Sequence, residues 1–286
     1  MSDALPRSPN TPPTPRSLPF GAWLLVAVSL AIGPGLLMGC GASGASSDRA
    51  SPSPGASVDA SADSTALAAA YETAIARAAE LGPDAIVTTL TPVAPHNDTL
   101  RWHVDDDGTR WVQVVTWTDD APLPGASAPA SAGDTLTLTG DVWTTLVPAI
   151  QQFCQPLSDA QRDRRLEQHL GLPPYAGYTR FVTLWASTET LFRPCPDPET
   201  TDRQCEPHAP KPQTRVQVAP EHLEWLDAQY AFSHQPGGYP FTGLGYTYDW
   251  GRPDEPVGMS EFVIPEGAPV RVVDATSTQS YCSRRP

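Results

Sequence analysis

The stretch from residue 230 to residue 262 concentrates side chains that can do chemistry. It holds His234, Asp249, Arg252 and Glu261 among Tyr239, Tyr246, Tyr248 and Trp250, with glycines at 237, 238, 243, 245, 251 and 258. Glycine lets a backbone approach a ligand closely, and Tyr and Trp offer flat apolar faces with a polar handle. A carboxylate, a histidine and an arginine are the few polar groups that fix a ligand's orientation in a pocket. These eight residues form the candidate ligand-binding set. As a catalytic set, a carboxylate or His234 would act as general acid or base, and two carboxylates at glycosidase separation would mark a hydrolase. The competing expectation is architectural: a long loop that anchors itself in the core through its rings. Arg193 and Asp197, in a Pro-rich loop, could lie nearby. No individual catalytic residue is assigned.

Other familiar chemistries are missing from the sequence. There is no Gly-x-Ser-x-Gly elbow, no Walker-type loop and no His-Glu-x-x-His. The six histidines, His96, His103, His169, His208, His222 and His234, are scattered. Asp105-Asp106-Asp107-Gly108 invites a calcium reading but lacks the closing Glu of an EF-hand loop, and Asp and Gly are what a tight hairpin turn demands. No cofactor and no metal are expected. The net charge of -14, with Lys211 the sole lysine, disfavours nucleic acid, where cations must replace counterions.

Residues 1–19 carry Arg7 and Arg16 among prolines. An uncharged apolar run from Phe20 follows, broken by Gly33-Pro34-Gly35 and ending in Leu37-Met38-Gly39-Cys40. Positive residues, an apolar run and then small residues form the pattern of a signal peptide. The last four residues resemble the lipobox of bacterial lipoproteins: an aliphatic residue, a tolerant position, a small residue, then Cys. The resemblance covers residues 1–40 only. It implies diacylglyceryl (palmitate-type) transfer to Cys40, cleavage after Gly39 and acylation of the new amine, which together anchor a chain stably. With Gly41 rather than Asp next, similarity to sorted lipoproteins implies the outer membrane in a Gram-negative host. The run is also long enough to span a bilayer, but the Gly-Pro-Gly break argues against an uncleaved helix. Residues 40–63, rich in Ser, Gly, Ala and Pro, read as a flexible tether.

If Cys40 is lipidated, Cys154, Cys195, Cys205 and Cys282 remain, an even number suited to two disulfides in an oxidising compartment. Three pairings are possible. Cys195 with Cys205 would close a short Pro-rich loop, leaving Cys154 with Cys282 by elimination. The rival is zinc held by Cys195, Cys205 and His208, at a spacing unlike common structural zinc sites.

The elements that must position these groups can be outlined. Helices are expected over 64–81, from about 141 to 153, over 159–170 and over 220–232. Strands are expected at 85–90, 135–139 and 181–186, with hairpins pairing 100–104 with 110–117 and 261–264 with 269–275. Helices and antiparallel hairpins without βαβ alternation predict a single α+β domain over residues 64–286. The expected function is that of a lipid-anchored, extracytoplasmic envelope protein binding a glycan, peptide or protein. The alternative is a secreted hydrolase using residues of 230–262.

Overall fold

The computed structural model describes residues 59–119, 121–206 and 220–284. The signal peptide expected over 1–39, Cys40 and the tether up to residue 58 lie outside the described residues, as does His208.

The fold is α+β. An 8-stranded antiparallel sheet runs in the order β3-β8-β5-β2-β4-β7-β6, with β1 paired to β2. The strands are β1 (Trp102–Val104), β2 (Arg110–Thr118), β3 (Thr135–Thr137), β4 (Val142–Leu146), β5 (Arg180–Ser187), β6 (Tyr246–Tyr248), β7 (Val257–Ile264) and β8 (Pro269–Ser277). The helices are α1 (Asp59–Ala79), α2 (Ala149–Cys154), α3 (Asp159–His169), α4 (Pro220–Ser233) and α5 (Thr278–Ser283). None of the described helices is long and apolar enough to cross a membrane.

β2 and β5 form the sheet's spine, registered from Trp111↔Ser187 to Thr118↔Arg180. Both are buried on both faces, which explains their near-continuous apolar runs. One face packs Val112, Val114, Leu184, Phe262, Ile264 and Val270 beneath irregular chain that contributes Leu100, Leu123, Leu138 and Leu191. The other face packs Val115, Trp117 and Phe181 against α2, α3 and α5 through Ile150, Leu166 and Tyr281. α1 lays the stripe Tyr71, Ala74, Ile75 and Ala78 on Tyr248 and Trp250. Residues 71, 74, 75 and 78 have the i, i+3, i+4, i+7 spacing of one helical face.

Four elements differ from expectation. α1 starts at Asp59, ahead of Ser64. Residues 85–90 form no strand: a single 3-10 turn covers Pro83–Ala85, and Leu90 and Val93 donate instead to the carbonyls of Arg203 and Thr200 in the Pro-rich loop. The helix expected from 141 is β4 first, because Val-Trp-Thr-Thr is β-branched and aromatic, and helix begins only after Pro148. The stretches 261–264 and 269–275 are both strands but do not pair with each other, since β4, β2 and β5 lie between β7 and β8.

That last difference shapes the sheet. Residues 265–268 must link β7 to β8. Five peptide steps reach about 17 Å at most, whereas four strand spacings of a flat sheet span roughly 19 Å before any offset along the strands. The sheet therefore curls. Its β4-β7 half folds toward β3 and β8, and Gly267 and Leu138 mark the join: Gly267 N–H donates to Leu138 C=O at 2.8 Å, and Leu138 N–H to Ala268 C=O at 3.0 Å.

Two disulfides are formed. Cys154–Cys282 ties α2 to α5, and Cys195–Cys205 closes the Pro-rich loop. The latter consumes two of the three ligands of the zinc alternative.

Candidate ligand-binding cleft

Curling opens the sheet at one place. The β2·β4 ladder holds only the registered pairs Val114↔Leu146 and Val115↔Thr145. Beyond them β2 stays with β5 as far as Thr118, and β4 stays with β7 as far as Val142. The two strands part company, and a cavity of about 420 Å³ lies between and over them, lined by residues 115–118 and 141–145. Further walls come from Leu170–Leu172, Tyr178, the end of α4 and residues 239–241.

Antiparallel register fixes what faces the gap. Val147 N–H donates to Gln113 C=O at 3.2 Å, so positions 113, 115 and 117 turn their backbone groups toward β4. Hydrogen-bonding positions recur every second residue. The next pair after Val115↔Thr145 would be Trp117 with Trp143, and this pair is not made. The backbone N–H and C=O of both tryptophans therefore face the cleft.

Val115, Thr145 and Glu261 stand side by side on one face, because Thr145 is in register with both neighbours. Glu261 keeps some accessible surface into the cavity but is otherwise walled by protein, and no described residue donates to its carboxyl. That burial pushes its pKa up to about 8 from 4.5. Its backbone N–H donates to Gly245 C=O at 3.0 Å, which fixes its position along β7.

Aromatic rings flank the opening. The Trp117 ring stacks on Phe181 with centroids 5.8 Å apart, meets Tyr178 edge-on, and donates from Nε1 to Thr278 Oγ1 at 2.8 Å. Trp143 stacks on Trp225 of α4 and meets Phe241 edge-on. Trp225 Nε1 donates to Asp141 Oδ2 at 2.7 Å, and Glu266 N–H donates to Asp141 Oδ1 at 3.0 Å, so both oxygens of Asp141 are committed. Phe232 and Tyr239 pair at the mouth and are exposed.

The residues singled out in the sequence divide by position. Tyr239, Tyr246, Tyr248 and Glu261 line the cleft. His234 does not line it, and its Nε2 is hydrogen-bonded to Phe241 C=O. Arg252 is exposed, with Glu255 as its ion-pair partner. Asp249 and Trp250 are buried away from the cleft in a packing role. Asp249 accepts from both arms of the Arg165 fork at 3.1 and 2.9 Å and from His169 Nδ1 at 2.8 Å. Burial works to raise its pKa, but the bonds from His169 and Arg165 outweigh burial and hold it at about 2. The Trp250 ring meets Tyr71 of α1 edge-on and donates to Leu172 C=O at 2.9 Å. Arg193 and Asp197 belong to the disulfide loop, where buried Arg193 pairs with Asp202.

Sequence reasoning did not find Trp117, Trp143 and the threonines around them. The signal was there: each tryptophan sits in a Thr-rich run, Thr116-Trp117-Thr118 and Trp143-Thr144-Thr145. Nothing local to either run says that they face each other.

The Asp105 turn closes as a hairpin and its carboxylate is taken by Arg271, Trp111 and His103. Among the described residues no group of three His, Cys, Asp or Glu side chains could hold a metal ion. No family model matches the chain, and no curated protein or solved structure matches it.

Proposed function

We propose that this is an envelope lipoprotein, anchored through lipid on Cys40, whose extracytoplasmic domain binds a glycan, peptide or protein ligand in the cleft between β2 and β4. The lipobox-like Leu37–Cys40 supports the anchor. The observation that carries binding is the cleft itself: a preformed concavity with aromatic walls and one largely enclosed carboxyl, Glu261, to which no described residue donates. Largely preformed, mostly apolar concavities with a few unspent polar groups are the usual form of ligand sites.

A second reading, the hydrolase, draws on Glu261 as well, because a carboxyl raised to about 8 is protonated at neutral pH and suits a general acid. Glycosidic hydrolysis needs a second carboxylate at roughly 5–9.5 Å. The cleft's other acid, Asp141, lies four positions along β4 from Thr145, about 13 Å by strand rise, with both oxygens engaged. Asp249 is held by Arg165 and His169. Binding is therefore the better-supported reading.

The test is capture from solubilised envelope components by the purified lipoprotein, compared with Thr118→Trp, which fills the cleft mouth. Capture that depends on an open cleft supports the reading, and equal capture by both proteins overturns it. Turnover of a glycan that is lost in Glu261→Gln would favour the hydrolase.

A further inference from the structure

We infer that the ligand is the free amino end of an extended peptide, its first residues pairing with the open edges of β2 and β4 and its ammonium group meeting Glu261. This rests on the binding reading above and names the ligand class.

The edges come first. The register leaves the N–H and C=O of Trp117 and Trp143 pointing into the cleft, while the even positions on either side are used by β5 and β7. Backbone groups removed from bulk water need partners. An extended peptide supplies donors and acceptors at the strand's own two-residue repeat, which is the basis of strand addition. A glycan has no such repeat.

The geometry of closure says which part of a peptide fits. β2 and β4 rejoin at Val115↔Thr145, so the cleft is a wedge with a closed apex. From Val115 to Thr118 is about 10 Å of strand, room for some three residues of an entering chain. A chain that enters must end there, so the occupant is a terminus. Glu261 stands beside Thr145 at that apex.

Charge decides which terminus. Among the described residues, the lining holds the acids Glu261 and Asp141 and no Lys, Arg or His. The other titratable residues of the lining are tyrosines: Tyr178 from the segment before β5, Tyr239 from the loop after α4, and Tyr246 and Tyr248 from β6, whose hydroxyls turn away to Ala85 C=O and to Arg77. None of these can carry positive charge. A carboxyl end would bring a third acid into a site without a cation, whereas an ammonium gives Glu261 the donor and the counter-charge it lacks. Because burial holds a proton on Glu261 at neutral pH, docking an ammonium releases that proton as the carboxylate forms.

The experiment uses the full-length chain in detergent and three probes: a random tetrapeptide-amide library with free amines, the same library N-acetylated, and tetra-N-acetylchitotetraose. Mass-spectrometric capture should favour free-amine peptides over acetylated ones at least about tenfold. Calorimetry of a captured peptide in two buffers of different ionisation enthalpy should show close to one proton released near pH 7. Glu261→Gln, checked by its melt for folding, should lose both the preference and the proton release. Equal capture of acetylated peptides, or capture of the chitotetraose alone, overturns the amino-end assignment. If that chitotetraose capture is lost in Thr118→Trp, the cleft reading survives. If no probe is captured and the envelope capture above is indifferent to Thr118→Trp, both fall.

Discussion

Two carboxylates twelve positions apart, Asp249 and Glu261, are driven in opposite directions by their surroundings. Asp249 is ion-paired and sits at about 2, below its ordinary 3.8. A depressed value contributes stability above the unfolded pKa that is lost as pH falls, so this share should vanish between about pH 4 and pH 2. Asp249→Asn leaves Arg165 without its carboxylate and should cost about 2–4 kcal/mol at neutral pH. Trp250→Ala should cost about 3–5 kcal/mol for an emptied aromatic site. Thermal melts check both. Glu261 is the opposite case. Its folded value of about 8 lies above 4.5, so the folded protein holds a proton that the unfolded chain has released. Stability should fall as pH rises from about 4.5 to about 8 and level off above that. Because the carboxyl keeps some accessible surface, the total is roughly 1–3 kcal/mol rather than the full linkage value. Glu261→Gln should remove this slope, raising the melting midpoint near pH 8.5 far more than near pH 4.5. A Gln variant whose pH profile parallels the wild type would show that the carboxyl titrates normally.

At the level of elements, one glycine beside β7 is tightly enclosed. Gly245 has φ +76°, and a Cβ there would lie 2.4 Å from Cδ of Arg193. Arg193 cannot step aside, because its guanidinium is tied to the side chain and carbonyl of Asp202 and to the carbonyl of Gln204. The carbonyl of Gly245 in turn receives the N–H of Glu261. Gly245→Ala should therefore cost about 2–4 kcal/mol, strain and overpacking together. Gly267→Ala is the control. It has φ +83° but nothing within 4 Å of the added atom, so only backbone strain of about 1 kcal/mol is expected. Melting curves of the two variants separate packing from conformation. Equal losses would show that Arg193 yields.

For the whole molecule, the proposed anchor and the cleft make separate forecasts. Cys40→Ala should abolish labelling by a clickable palmitate and release the protein from the membrane fraction, while ligand capture is unchanged. A firmly membrane-bound Ala variant would mean that the apolar run from Phe20 is a true span. The two disulfides bear on neither forecast but predict that the mature chain has no free thiol. Mass spectrometry of unreduced peptides should join Cys154 to Cys282 and Cys195 to Cys205.

The α+β class, the stripe of α1, the strands on either side of the Asp105 turn, and α3 and α4 were legible in the sequence because each rests on local periodicity, caps and turn residues. Both disulfides were legible too, since counting and loop length leave few pairings. Of the candidate set, Tyr239, Tyr246, Tyr248 and Glu261 reach the cleft because the glycine-rich run carries them there, while Asp249 and Trp250 are drawn into packing by Arg165, His169 and Tyr71, which are distant in sequence. β4 reads as helix in the sequence because five residues of strand followed by Pro148 and a short helix share one apolar run, and periodicity over so short a span does not separate strand from helix. The cleft could not be read at all. It exists because β7 and β8, adjacent in sequence, lie on opposite sides of β4, β2 and β5, and a four-residue link then forces the sheet to curl until the β2·β4 ladder opens. The identities of Trp117, Trp143 and Glu261 were written in the chain, but only the path of the strands through the sheet put them around one space.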